Sequence, residues 1–262
     1  MRGGNDMIKC VSVSKTFRTG GLKKNGTPVL KNIDCEIKAF SVTGITGESG
    51  CGKTTLARCL MNLIKPDSGN IFIKGKSVFE YTDKKAFCRL VQTVQQNPES
   101  ALDPDFTVKK SLEEVYILHK ERFASKAAFQ AELQELCIQT GIPYDETDKL
   151  PYAFSGGQLQ RICIIRALLI KPEIVILDES TSMLDVSVQA QILSLLLKLK
   201  ERYKLTLILI SHDLDVIEYF CDELIVMQKG TIVESGACSQ VFAHPTHEYT
   251  IKLLKNRNLI LE

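Results

Sequence analysis

The feature that most constrains this chain is the stretch 41–55, SVTGITGESGCGKTT. Its apolar, β-branched beginning predicts a strand, and the letters that follow fit the pattern G-x-x-x-x-G-K-[ST]. Gly47, Gly50 and Gly52 allow the backbone to take positive φ angles and to close around an anion. The N–H groups of such a loop, and the positive end of the helix after it, then face that anion. The stretch is therefore predicted to bind phosphate.

The residues after the glycines specify a nucleoside triphosphate. Lys53 is expected to reach the β- and γ-phosphates, and the Thr54 hydroxyl is expected to hold Mg²⁺. Apolar residues with helical spacing from Leu56 to Ile64 predict the following helix, which turn residues at 66–69 should end. A purine nucleoside triphosphate with Mg²⁺ is the predicted ligand. The residues assigned to it here are Gly47, Glu48, Ser49, Gly50, Cys51, Gly52, Lys53, Thr54 and Thr55.

Composition narrows the class of protein. The chain has 262 residues, 44% of them apolar, which suffices for one large domain or two small ones. A net charge of +2 gives no argument for binding to nucleic acid or to a lipid surface. The longest apolar stretch, Ile162–Ile170, is interrupted by Arg166 and falls short of the roughly 20 residues that span a bilayer. Because the start MRGGND also has no signal-peptide character, we expect a soluble chain that reaches a membrane only through partners.

The order of patterns along the chain predicts its fold. Apolar runs alternate with helical periodicity, which is typical of an α/β protein with a mostly parallel sheet flanked by helices. Residues 100–150 interrupt this alternation with two helical stripes, which indicates a helical insertion. The stripes consist of Val108, Leu112, Val115, Tyr116 and His119, and of Phe129, Leu133, Leu136 and Cys137.

Two carboxylates follow a short apolar run. Ile174–Leu177 predicts a strand buried on both faces, and Asp178 and Glu179 come at its carboxyl end, where α/β sheets bind ligands. Asp178 is expected to hold Mg²⁺, and Glu179 to polarise a water molecule near the γ-phosphate. Without the phosphate loop, these would be interpreted as two solvated carboxylates.

Further residues are placed to complete the site. His212 follows another buried strand, Leu205–Ile210, and is predicted to contact the γ-phosphate or to orient the attacking water. Ser155, Gly156, Gly157 and Gln158 open a helix with a cap and two glycines, which predicts a second anion site. Two copies that face each other would use both sites, each completing the other. Phe17, at the end of the first strand, is either a base-stacking aromatic or a core residue.

Together these motifs resemble the ATP-binding cassette (ABC) ATPases, the energy-coupling subunits of ABC transporters. The matching motifs are GESGCGKT (47–54) as Walker A, Gln96 as the Q-loop glutamine, FSGGQLQR (154–161) as the signature, IVILDE (174–179) as Walker B, SMLD (182–185) as the D-loop with Asp185, His212 as the switch histidine, and Phe17 as the adenine-stacking aromatic. Within the family, QQNPESALDP, LDVSVQAQIL and HPTHEYT resemble the peptide/nickel/opine importers. Ser180 and Met183 depart from the usual residues, and neither departure removes a catalytic group.

The resemblance implies an architecture and partners. It implies a P-loop NTPase core with an N-terminal antiparallel β subdomain (1–96 and 160–262) and a helical signature subdomain (97–159). It implies Mg-ATP bound between two head-to-tail cassettes, with Gln96 also at the metal and Asp185 at the nucleotide. The second cassette is expected to be a different chain, with a homodimer as the form open to the isolated protein. The expected partners also include two integral membrane permeases and an extracytoplasmic binding protein. The chain is expected to lie peripherally on the cytoplasmic face of the membrane. The expected cargo is a peptide, nickel or a metal–opine chelate.

Two other classes of function stay open from the residues alone. One is a soluble cassette ATPase that acts on nucleic acid or the ribosome, against which the near-neutral charge argues. The other is a small-molecule kinase with a phosphate loop, which would leave the SGGQ helix and the helical insertion without a role.

The assignment of Glu179 predicts the behaviour of one variant. Glu179→Gln should bind ATP as the parent does and should lose nearly all hydrolysis, because an amide cannot accept a proton from water. Nucleotide binding and phosphate release are the two measurements. Hydrolysis by Glu179→Gln at the parent rate would show that Glu179 is not the base.

Overall fold

The computed structural model describes residues 6–18, 26–95, 97–178 and 185–258. The chain divides into two compact units. Unit 1 comprises Met1–Asp83 with Thr206–Glu262, and unit 2 comprises Lys84–Leu205. Gln96, Glu179 and the D-loop positions 182–184 lie outside the described residues.

Unit 1 contains two sheets with helices around them. Its elements are β1 (Asp6–Arg18), β2 (Gly26–Lys38), β3 (Val42–Thr46), α1 (Lys53–Leu60), β4 (Ser68–Ile73), β5 (Lys76–Ser77), β8 (Thr206–Ile210), α7 (Leu214–Phe220), β9 (Glu223–Gln228), β10 (Thr231–Ala237), α8 (Cys238–Ala243) and α9 (Glu248–Asn258). One sheet is antiparallel, in the order β2-β1-β4-β5. In the other, β3 lies between β8 and β9 and is parallel to both, while β10 pairs antiparallel with β9.

The parallel part of the second sheet fixes where unit 1 can bind a ligand. Every residue of β3 and of β8 is buried, as expected for strands covered on both faces. Ile45 of β3 pairs with Ile210 of β8, so the two strands end at the same edge of the sheet. The loop before α1 and the residues after β8 therefore leave the sheet side by side, as the sequence predicted.

Helix α1 is shorter than its apolar spacing predicted. It ends at Leu60 rather than at Ile64, because Asn62 takes a left-handed conformation (φ 55°) and its amide nitrogen donates a hydrogen bond to the carbonyl oxygen of Val78 at 2.9 Å. Leu63 is 69% exposed and does not contribute to the core. The prediction that the helix includes Leu63 and Ile64 was wrong.

Unit 2 holds the predicted helical insertion. Its elements are α2 (Lys84–Leu90), β6 (Val91–Val94), α3 (Val108–Leu118), α4 (Lys126–Thr140), α5 (Gly156–Leu168), β7 (Ile174–Asp178) and α6 (Val186–Tyr203). Strands β6 and β7 are parallel. Both predicted helical stripes exist, and α4 ends at Gly141 with φ 70°. Within the described ranges, no helix combines the length and apolar character needed to cross a lipid bilayer.

An aromatic cluster packs α3 against α4. The Phe129 side chain is fully buried, and its ring centroid lies 5.4 Å from that of Tyr116 and 5.1 Å from that of Phe123. Such ring contacts add to the free energy gained by burial. The cluster therefore anchors the insertion.

Truncation of a ring in this cluster should destabilise the protein more than truncation of an exposed side chain on the same helix. Phe129→Ala is expected to lower the free energy of unfolding by about 3–5 kcal/mol, through lost burial and the cavity left behind. Ile138→Ala, on the same helix but at a position 81% exposed, should change the free energy of unfolding by less than about 0.5 kcal/mol. Urea denaturation of both variants tests this expectation, and equal midpoints would contradict it.

Candidate nucleotide site

The loop between β3 and α1 is closed by glycines at positive φ. Gly47, Gly50 and Gly52 have φ angles of 145°, 78° and 113°. A β-carbon on Gly47 would lie 2.1 Å from the carbonyl oxygen of Met227, and one on Gly52 would lie 2.7 Å from that of Val29. The loop thus fits against neighbouring backbone only with glycine at these two positions.

Lys53 is a buried cation at the start of α1. It is 6% exposed, and its Nζ donates hydrogen bonds to the carbonyl oxygens of Gly47 at 2.7 Å and Glu48 at 3.0 Å. Within the described part of unit 1, no carboxylate pairs with it. A buried charge with neutral partners only is unfavourable, so this ammonium favours an anion beside it.

The amino end of α1 offers hydrogen-bond donors. Its first intrahelical bond runs from the Leu56 N–H to the carbonyl oxygen of Gly52 at 2.9 Å, and Gly52 supplies no capping side chain. Among the described residues of unit 1, the N–H groups of Lys53, Thr54 and Thr55 have no acceptor. Free amides, the positive end of a helix and a buried ammonium suit a phosphate group.

Hydrogen bonds from two other elements of unit 1 also hold the loop, and the sequence analysis did not single out the residues that make them. The Gly230 N–H, in the turn between β9 and β10, donates to the carbonyl oxygen of Cys51 at 3.0 Å. The hydroxyl oxygen of Tyr249, on α9, accepts a hydrogen bond from the Glu48 N–H at 2.9 Å. The HPTHEYT stretch contained Tyr249, and no local pattern connected it with the loop.

His212 and Phe17 also belong to unit 1. His212 is exposed and follows β8, whose continuation at Ser211 donates its N–H to the carbonyl oxygen of Ile45 at 3.3 Å. This places His212 at the sheet edge from which the phosphate loop emerges.

The Phe17 side chain is 40% exposed, with the Lys15 Nζ 5.8 Å from its ring centroid. This exposure excludes the interpretation of Phe17 as a core residue, and base stacking by Phe17 stays a prediction.

In unit 2, the acidic candidates lie at the ends of elements. Asp178 is the half-buried last residue of β7, after four buried residues. Asp185 is the N-cap of α6, where its side chain accepts a hydrogen bond from the Val188 N–H at 3.0 Å. Asp185 therefore caps the amino end of α6.

The signature helix α5 begins with a capping box. The Ser155 hydroxyl oxygen accepts a hydrogen bond from the Gln158 N–H at 3.3 Å, and the Gln158 side-chain oxygen accepts one from the Ser155 N–H at 2.9 Å. Among the described residues of unit 2, the N–H groups of Gly156 and Gly157 have no acceptor. A β-carbon on Gly157 would lie 2.5 Å from a methyl carbon of Val188. The two glycine N–H groups are therefore the donors that this helix can offer to an anion.

Comparisons with known proteins identify the family. The family model described as ABC transporter matches residues 30–182. The probable D,D-dipeptide transport ATP-binding protein DdpF of Escherichia coli K12 is 43% identical over 225 residues, which cover 86% of this chain and 69% of that protein. The oligopeptide transport ATP-binding protein OppF of Streptococcus mutans is 37% identical over 250 residues, which cover 95% and 80%. The solved dimeric ATP-binding cassette MJ0796, in a post-hydrolysis state with ADP and Pi, is 27% identical with a TM-score of 0.75, and the match covers 88% of this chain and 99% of that one.

The chain therefore belongs to the ABC transporter family, because the family model covers more than half of it. The comparisons confirm the predicted α/β fold class, the assignment to the ABC transporter ATPases and the predicted ATP-hydrolysing activity. They do not favour a cassette that acts on nucleic acid or the ribosome.

The two glycine environments of the loop predict unequal effects of the same substitution. Gly47→Ala and Gly50→Ala both place a side chain at positive φ, which costs about 1–2 kcal/mol. Only Gly47→Ala also forces a β-carbon against the Met227 carbonyl, since nothing lies within 4 Å of the position that a β-carbon on Gly50 would take. Gly47→Ala should therefore lose about 1–3 kcal/mol more stability, measured by denaturant unfolding. Equal stabilities would show that the loop shifts without cost.

Proposed function

We propose that this chain hydrolyses ATP to drive a membrane importer for peptides, with its nucleotide held by the residues named above. The observation that carries the proposal is Lys53, a buried ammonium whose partners within the described part of unit 1 are uncharged groups of its own loop, two carbonyl oxygens and the Cys51 sulfur. The family membership supports ATP hydrolysis as the reaction, and the buried charge of Lys53 supports the phosphate loop as the place where the phosphates bind.

The proposal gives each residue of the phosphate loop a role. Lys53 binds the β- and γ-phosphates, and the N–H groups from Ser49 to Thr55 line the loop around them. The exposed Thr54 hydroxyl, Asp178 and Gln96 would hold Mg²⁺. When bound, Mg²⁺ neutralises charge that develops on the phosphate oxygens.

Other residues act on the two ends of the nucleotide. Glu179 accepts a proton from the attacking water, and His212 and Gln96 contact or position the γ-phosphate. The exposed ring of Phe17 stacks on the adenine. In this proposal the hydrolysing group acts at the γ-phosphate and the base-binding group at the adenine.

A second cassette completes the site in this proposal. The N–H groups of Gly156 and Gly157, with Ser155 and Gln158, bind the phosphates held by the partner cassette, and Asp185 lies at the same junction. The dimeric state of MJ0796 supports such an assembly. The partner in the cell is a different chain, as in the importers that the motifs resemble.

The remaining partners follow from the class of transporter. Two permeases hold the cassettes on the cytoplasmic face of the membrane, an extracytoplasmic binding protein delivers cargo, and the helical signature subdomain at 97–159 takes part in coupling. The descriptions of DdpF and OppF as peptide transport proteins support a peptide cargo. Nickel and metal–opine chelates belong to the same importer group.

Lys53 provides the direct test. Lys53→Ala should weaken binding of Mg-ATP by at least about 10-fold, because a charged hydrogen bond contributes about 1.5–3 kcal/mol. Lys198→Ala removes an exposed lysine from the middle of α6 and should leave binding unchanged. The dissociation constant of a fluorescent ATP analogue measures both variants. Parent-like binding by Lys53→Ala would refute the proposed site.

A further inference from the structure

The C-terminal helix of unit 1 touches the phosphate loop through one side chain. Tyr249, the second residue of α9, is 7% exposed, and its hydroxyl oxygen accepts the hydrogen bond from the Glu48 N–H at 2.9 Å. The two residues are 201 positions apart in the chain. The bond therefore ties a late element to the loop that defines the site.

This bond acts on the peptide unit that also holds Lys53. The Glu48 N–H and the Gly47 carbonyl belong to the same planar peptide group. The N–H donates to Tyr249, while the carbonyl accepts from the Lys53 Nζ at 2.7 Å. Hydrogen bonds on both sides of one peptide polarise each other and fix its rotation. Removing the Tyr249 hydroxyl would thus loosen an acceptor of the ammonium without touching the ammonium itself.

The segment that leads into Tyr249 is held by an acidic residue of β10. The Glu234 carboxylate accepts hydrogen bonds from the Thr246 N–H at 2.8 Å, the Thr246 hydroxyl at 2.9 Å and the His247 N–H at 3.1 Å. The His247 Nδ1 then accepts from the Tyr249 N–H at 3.1 Å. Bonds to a charged acceptor are stronger than neutral ones, so Glu234 holds the start of α9 firmly.

We propose that Tyr249 is a positioning residue of the nucleotide site, which sets the Gly47–Glu48 peptide so that Lys53 can bind phosphate, and that Glu234 supports it. The proposal rests on the proposed function, because it assumes that the phosphate loop binds Mg-ATP. Through this connection, the position of α9 determines the affinity of the loop for nucleotide.

The test compares two tyrosines in the full chain. Tyr249→Phe keeps the ring and removes only the hydroxyl, and it should weaken binding of a fluorescent ATP analogue with Mg²⁺ by roughly 3- to 10-fold, as expected for one hydrogen bond. Tyr203→Phe is the matched control, since it loses a hydroxyl bond of the same length, to Gln139 in unit 2. It should lower the melting temperature to a similar extent and leave the dissociation constant within about 2-fold.

A second variant and a reference variant make the result decisive. Glu234→Ala should weaken nucleotide binding as Tyr249→Phe does, and the double variant should bind no more weakly than the worse single one, because both act through one peptide. If Lys53→Ala loses binding while Tyr249→Phe binds as the parent does, the positioning role is overturned and the proposed function stays intact. If Tyr249→Phe does not fold, parent-like affinity in Glu234→Ala has the same meaning. Parent-like affinity in Lys53→Ala would instead overturn the proposed function.

Discussion

The proposed nucleotide site depends on one buried positive charge. An ammonium group removed from water is stable only with good hydrogen-bond partners or a counter-charge. Lys53 has two carbonyl oxygens from its own loop and, within the described part of unit 1, no carboxylate. The loop glycines allow two carbonyl oxygens to hold that charge, and the uncapped amides of α1 add positive potential beside it, which favours a bound anion. Such an arrangement suits the binding of a polyanion such as a triphosphate.

The signature helix α5 presents a different arrangement of donors. Ser155 and Gln158 satisfy each other, which leaves the two glycine N–H groups without an acceptor among the described residues of unit 2. The glycine at 157 also has a packing reason, because Val188 of α6 occupies the space that a side chain would need. One residue of the motif thus serves the contact between two helices as well as the proposed contact with phosphate.

The sequence predicted what depends on short-range pattern. The phosphate loop, the two helical stripes of the insertion and the caps at Ser155 and Asp185 were predictable because each is encoded within a few consecutive residues. The predicted end of α1 was wrong because the apolar spacing continues past Asn62. The left-handed conformation of Asn62 and its hydrogen bond to Val78 depend on a neighbouring segment. The bond from Glu48 to Tyr249 was beyond prediction for the same reason, since only the folded chain brings the two residues together. Gln96 and Glu179 lie outside the described residues, so their roles stay predictions.

The tight contact of Gly47 with the Met227 carbonyl has a thermodynamic consequence. A loop already packed against a β-hairpin has few backbone conformations left to lose when a ligand arrives. Little of the interaction with the triphosphate is then consumed in ordering the polypeptide, and most of it is available as affinity. The hairpin of β9 and β10 touches no phosphate in this proposal. It would still strengthen nucleotide binding, because it limits the conformational freedom of the phosphate loop before the ligand binds.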